Sequence, residues 1–474
     1  MPVVLQHPPS QALRFLDSLY SQGRLPELVA QLQALLLRFP GAGVLHLRLG
    51  NAYAALGRFG PARESFENAI RWAPGDAGIH YNLGNTLRVL GDFEGAAESY
   101  ARAIQLSPDF AAAHFNLSSL RTYRPGDPQI KLMRAQLKRR DLPKPAEMAL
   151  HFALGKAHSD CDDPDRAFAH FVQGNRAQRA IKPYDAAGQR RLFADIRACF
   201  EAGIDAVPQP PAGPAQPQRP VFIVGMLRSG STLVEQILGR HSQVHAAGEI
   251  GLASASARQH LGPAPGAITA ARMGAFRDAY RAGLSRLRAS APVITDKMPH
   301  NFLWTGFLLR AFPEARIVHM VRDPRATCWS IFSHCFPTPE GGYDNDLRDL
   351  TEFHGLYADL MAFWHRLFPG QILDLHYESL VEAPEAETRR LLAHCGLAWE
   401  PGCLADRRLS GPLLTASGPQ VVKPIYRGSS DAWRKFAPHL GSMLEGLAPS
   451  SFAPPSLLVP PSPRVPPLLP ATAA

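Results

Sequence analysis

Apolar positions along this chain follow two periods. Beyond residue 220 they gather into short runs, VFIVG at 221–225, PVIT at 292–295, ARIVHMV at 315–321 and QILDLHY at 371–377, with helical stretches between them. This alternation predicts an α/β unit on a mainly parallel sheet. The branched Val221, Ile223 and Val224 suit a buried strand. That first run breaks into the loop of VFIVGMLRSGST, where Gly225 and Gly230 permit a tight turn before LVEQIL starts a helix. Strand, glycine loop and helix N-terminus cradle an anion, because backbone N–H groups and the helix dipole converge on one spot. Gly225 and Gly230 have the spacing of the phosphate loop G-x-x-x-x-G-K-[ST], yet Ser231 stands in the lysine's place, which argues against a nucleoside triphosphatase.

The first third carries a longer period. HLRLGNAYAALGRFGPARESFENAIRWAP recurs 34 residues later as HYNLGNTLRVLGDFEGAAESYARAIQLSP. Gly50 matches Gly84, Asn51 Asn85, Gly57 Gly91, Ala62 Ala96, Ala69 Ala103 and Pro74 Pro108, and His46, His80 and His114 keep the step. A degenerate copy precedes, with Gly23 and Pro40 in phase, and a broken one follows near 147–180. Small residues fall where paired helices touch, and proline ends the second helix. The pattern resembles tetratricopeptide repeats, which implies a helical solenoid whose concave surface can hold a peptide. The alternative is a solenoid that only scaffolds or dimerises the rest. PQPPAGPAQPQRP at 208–220 reads as a linker, and the proline-rich last 25 residues as disordered. The expected division is a repeat domain at 1–207, the linker at 208–220, an α/β domain at 221–445 and a tail at 446–474.

A formal net charge of +9 and a pI near 9.4 favour an anionic cofactor or an acidic acceptor. No dense Lys/Arg run with interleaved aromatics points to nucleic acid. Six scattered cysteines without C-x-x-C argue against a zinc site or a disulfide framework. His241, His245, His300 and His319 show no ligand spacing and read as pocket or packing residues. No stretch reads as a secretory signal or membrane span, so a bacterial-type cytoplasmic enzyme is expected.

A second chemical anchor is ARIVHMVRDPRATCWSIF. A strand ending at Val321 delivers Arg322, and Pro324 suits the first turn of a helix reaching Ser330. The arginine fork and the serine hydroxyl can converge on one phosphate. The two anchors together resemble the sulfotransferase superfamily over roughly 219–440, closest to bacterial tetratricopeptide-repeat sulfotransferases and more distantly to protein-tyrosine sulfotransferases. The resemblance implies 3′-phosphoadenosine 5′-phosphosulfate as co-substrate and no metal. It places Arg228, Ser229, Gly230, Ser231 and Thr232 around the 5′-phosphosulfate, Arg322 and Ser330 on the 3′-phosphate, and Tyr377 near the adenosine. TASGPQVVKPIYRGSS, from Thr415 to Ser430, matches a loop covering the co-substrate; within it Ser417 would touch the transferring group, and Arg427, Gly428 and Ser429 would add phosphate contacts. Glu249, in HAAGEIG, matches the general base that takes the acceptor proton, and Lys297, in TDKMPHNF, a lysine that stabilises the departing bridging oxygen. The acceptor this implies is a hydroxyl, in a protein tyrosine, a sugar or a lipid-linked glycan, and the repeats tilt the expectation towards a protein or peptide.

The match has departures. Leu227 replaces a proline, Asp431-Ala432 a Gly-Arg pair, and His334 an arginine of the tyrosine-sulfating relatives. Two rival readings follow: an interaction scaffold with an inactive transferase domain, and a phosphate-loop kinase, which the missing lysine disfavours.

Overall fold

The computed structural model describes residues 8–211, 218–261, 268–287, 289–336, 342–404 and 428–447. The expected proline-rich tail, Ser417 and Arg427 lie outside them. Among the described residues the chain opens with paired helices: α1 (Ser10–Ser21), α2 (Leu25–Arg38), α3 (Gly43–Ala55), α4 (Phe59–Trp72), α5 (Ala77–Leu90), α6 (Phe93–Leu106) and α7 (Ala111–Ser118). After α8 (Pro128–Gln136) come α9 (Lys144–Asp160), α10 (Pro164–Ile181) and α11 (Ala186–Ala198).

The repeated residues make repeated contacts. A Cβ at Gly50 would stand 2.5 Å from the Phe66 ring, and one at Gly84 would stand 2.7 Å from Tyr100. The broken copy keeps the contact at the same offset, a Cβ at Gly155 falling 2.6 Å from the Phe171 ring. Three histidines anchor successive turns on proline carbonyls: His46 on Pro40 at 2.9 Å, His80 on Pro74 at 3.1 Å and His114 on Pro108 at 3.0 Å. An amide ladder crosses the first helices of the pairs, Asn82 donating to Asn51 at 3.1 Å and Asn116 to Asn85 at 2.9 Å.

The α/β part holds β1 (Arg219–Gly225), α12 (Ser231–Leu238), β2 (Val244–Ala246), α13 (Leu252–His260), α14 (Ala270–Ser285) and β3 (Val293–Asp296). It continues through α15 (Thr305–Ala311), β4 (Arg316–Val321), α16 (Pro324–Phe332), α17 (Leu347–Leu367), β5 (Ile372–His376), α18 (Tyr377–Glu382), α19 (Pro384–His394) and α20 (Gly441–Gly446). The sheet order is β2-β3-β1-β4-β5 and every pair is parallel. Side chains alternate across it: Val221 and Ile223 enter one core layer, Phe222 and Val224 the other. The second layer also takes in Phe152, Phe171, Phe193 and Phe200 from α9–α11 and the turn after them, so these helices share the core of the sheet. The chain entering the proline-rich segment is bound as well, with Arg310 donating to the Val207 carbonyl, just before the segment, at 2.6 Å and Arg277 to that of Pro211, within it, at 2.6 Å.

Candidate active site

The chain leaves central β1 towards β2 and β3, then crosses to β4 and β5 on the other side. Such a reversal opens a crevice beyond the carboxyl ends of the strands. The loop after β1 enters it under backbone constraint. Arg228 has φ 64°, and Gly230, which precedes α12, has φ 104°. A Cβ at Gly230 would also stand 2.6 Å from the Tyr377 ring, so both conformation and space call for glycine. Ser229 is buried and closes the loop on itself, donating to the Met226 carbonyl at 2.8 Å. Ser231 and Thr232 open α12.

Arg322, one residue past β4, ties three segments together. Its guanidinium donates to the Arg228 carbonyl at 2.8 Å, the Ser429 carbonyl at 2.8 Å and the Ser430 hydroxyl at 3.3 Å. It also lies 4.7 Å from the centre of the Tyr377 ring, whose hydroxyl accepts from Ser429 at 2.8 Å. Arg228 in turn donates to the Ser330 hydroxyl at 3.1 Å. Ser330 is carried by α16, whose start is capped by Asp323 accepting from the Arg325 and Ala326 N–H groups at 2.8 and 3.1 Å. Arg228, Arg322, Ser330, Tyr377 and Ser429 therefore form one cluster with two guanidinium groups, and Gly428, at φ 102°, leads into Ser429. His334 sits 3.5 Å from Arg228, and burial, then that guanidinium, push its imidazole down to about 3, so it is neutral.

The second group lies at the ends of β2 and β3. Lys297 is fully buried, and its ammonium is 2.5 Å from Glu249, whose side chain is 35% exposed. A second carboxylate, Glu235 of α12, lies 4.0 Å away. It accepts from the Gly248 N–H at 2.8 Å and the Thr295 hydroxyl at 3.2 Å. Burial lifts the Glu235 carboxyl above its ordinary value, against the pull of Lys297 and these bonds. Glu235 was not singled out in the sequence reading; the available signal was the one acid in LVEQIL, beside Gln236 between two apolar pairs. Asp296, just before the lysine, accepts from Tyr280 and Asn301 at 3.2 Å each, and burial pushes its carboxyl up to about 7.

Residues 220–401 match the sulfotransferase family model, and 13–77, 47–111 and 81–121 match a tetratricopeptide repeat model. The chain belongs to the tetratricopeptide-repeat-containing sulfotransferase family. An uncharacterized protein of Aquifex aeolicus is 33% identical over 339 residues, 68% of this chain and 44% of that protein. A putative protein-tyrosine sulfotransferase of Caenorhabditis briggsae is 27% identical over 40% of this chain and 70% of its own length. Protein-tyrosine sulfotransferase 2 of Gallus gallus is 25% identical over 48% and 66%. The chain thus spans less than half of the Aquifex relative. The crevice has a basic half around Arg228 and Arg322 and an acid–ammonium half around Glu249 and Lys297. Asp431, at one of the departures from the family pattern, pairs with Arg434 at 2.7 Å. No described helix is long and apolar enough to cross a membrane.

Proposed function

We propose that the chain moves a sulfuryl group from 3′-phosphoadenosine 5′-phosphosulfate to an acceptor hydroxyl, with a protein tyrosine as the acceptor. The observation that carries this reading is the linkage of Arg228, Arg322, Ser330 and Ser429 beside a glycine loop that lacks a phosphate-loop lysine. Two guanidinium groups and the α12 N-terminus suit a ligand with phosphate at both ends of a nucleoside. Arg228, Ser229, Gly230, Ser231 and Thr232 would hold the 5′ end; Arg322, Ser330, Gly428 and Ser429 would hold the 3′-phosphate, with Tyr377 against the base side. The bound donor supplies the transferable sulfuryl group.

Glu249, partly exposed, is assigned the acceptor proton. Lys297, fixed in the interior by two carboxylates, is assigned the charge that grows on the leaving oxygen. A positive group held in place before reaction stabilises the transition state without reorganising. Positioning of the two reactants in line supplies the rest of the rate. The solenoid is assigned the acceptor protein, and the Asn51–Asn82 and Asn85–Asn116 ladder the recognition of its backbone amides. The transfer itself calls for no metal.

The test is calorimetric titration with adenosine 3′,5′-bisphosphate, against ATP, on wild type and Arg322→Ala. Selective metal-independent binding that the variant loses by about tenfold or more supports the reading, because a hydrogen bond to a charged group contributes on the order of 1.5–3 kcal/mol. Absent binding, or equal binding of ATP, overturns it and leaves the scaffold reading, which the Asp431-Ala432 departure favours.

A further inference from the structure

The register of β4 and β5 brings three metal-ligating side chains together. His319 and Asp374 are paired across β4 and β5. Asp374 Oδ1 accepts from His319 Nδ1 at 2.7 Å and from His365 Nε2 at 2.8 Å. His365 comes from the last turns of α17, two helical turns beyond Tyr357, so both face the same strands. The ligating atoms of His319, His365 and Asp374 all lie within 4.8 Å of one another.

From this geometry we propose that His319, His365 and Asp374 bind one zinc(II) ion. Two imidazoles and a carboxylate are a borderline donor set that suits zinc over magnesium or calcium, which prefer all-oxygen shells. Three protein ligands also leave a coordination position for water. The surroundings orient the ligands as a metal site requires. His319 is fully buried, and its other nitrogen, Nε2, is hydrogen-bonded to the Tyr357 hydroxyl, which fixes the ring plane. Arg390 donates to the Asp374 backbone carbonyl at 3.0 Å and leaves the carboxylate to the two rings. The His365 and Asp374 side chains are each 29% exposed, which gives the ion its approach from solvent beside the edge strand β5.

Without metal, both ring nitrogens serve the carboxylate as N–H donors. Zinc takes their lone pairs once each proton has moved to the other ring nitrogen or to solvent. The site also reaches towards the crevice, since Tyr357 and Met226, in the loop after β1, line one cavity. It is independent of the sulfuryl-transfer reading, because neither nucleotide nor acceptor enters the argument.

The experiment is titration of the chelator-treated full chain with zinc chloride by calorimetry, followed by cobalt(II) substitution and absorption spectroscopy. The expected result is one equivalent bound, with affinity lowered about tenfold or more in both His365→Ala and Asp374→Asn. Both positions are part-exposed, and a melting curve for each variant checks that it is folded. The cobalt spectrum is expected to lack a thiolate charge-transfer band, which excludes the six cysteines as ligands. His170→Ala is the control, because His151 and His170 face each other at 3.0 Å in a separate cluster. No stoichiometric zinc binding, a thiolate band, or loss of binding in His170→Ala with His365→Ala unaffected would each overturn the proposal.

Discussion

At the scale of single residues, the fold sets the charge state of groups beside the crevice. Asp296 is the clearest case. Its carboxyl is enclosed beside Lys297, with Tyr280 and Asn301 as donors, and burial raises it to about 7. In the unfolded chain the same group titrates near 3.9. The folded state therefore binds the proton more tightly, and the stabilisation this brings is complete below about pH 4. It is lost as pH rises through about 7, at up to about 1.4 kcal/mol per pH unit. Asp296→Asn removes that dependence. The difference in melting temperature between wild type and the variant is expected to fall from pH 4 to pH 7 and level off above it; a flat difference counts against an ionising carboxyl at this position. Lys297 shows how burial changes a residue's meaning. As a letter in TDKMPHNF it could be a solvated surface charge, whereas in the structure it has no exposed surface and two carboxylate neighbours.

At the scale of elements, much was readable because the physics is local. Apolar runs became β1, β3, β4 and β5, and the Arg-Asp-Pro turn became the capped start of α16. Strand β2 was not anticipated. Its three residues, Val244–Ala246, are too few to make a run, and it exists through pairing with β3. In the solenoid, the period-34 glycines were legible as small residues at helix contacts, and the ring they face could be named only from the packing. A substitution pair separates packing from propensity. Gly84→Ala puts a methyl 2.7 Å from a fully buried Tyr100 ring and is expected to destabilise the chain by about 1–3 kcal/mol. Gly60→Ala, in α4 with nothing within 4 Å, is expected to stabilise it by about 0.5–1 kcal/mol. Urea unfolding of both variants reads the opposite signs.

For the whole molecule, the shared core matters most. We propose that α9–α11 belong to the folding unit of the sheet rather than to the repeats. Phe200 meets Phe307 and Trp364 at ring-centre distances of 5.0 Å, and Phe193 meets Phe353 at 5.7 Å. Asn175 donates to the Phe332 carbonyl at 2.8 Å, at the end of the helix that carries Ser330. Each such phenylalanine contributes about 1.5–3 kcal/mol on burial, so losing Phe152, Phe171, Phe193 and Phe200 approaches a typical net stability of about 5–15 kcal/mol. A fragment starting at residue 218 is expected to be insoluble or to melt without a cooperative transition. One starting at residue 144 is expected to melt cooperatively. Equal behaviour of the two in solubility and calorimetric scans would contradict this.

The sequence by itself determined the two periodicities, the glycine loop without its lysine, and the candidate charged residues Arg228, Glu249, Lys297 and Arg322. The periodicities and the loop are local or repetitive signals that steric and hydrophobic rules suffice to read, whereas Glu249 and Lys297 stood out only through the resemblance to sulfotransferases. Tertiary structure alone decided which of those charges meet. Arg228 reaches Ser330 across 102 residues and Lys297 reaches Glu249 across 48, distances along the chain that spacing cannot span. It also decided the pairing of His319, which read as a packing residue, with Asp374 and His365, by setting β4 beside β5 in parallel register. Register is a long-range choice, made by which faces of the strands bury best, and no short stretch of sequence contains it.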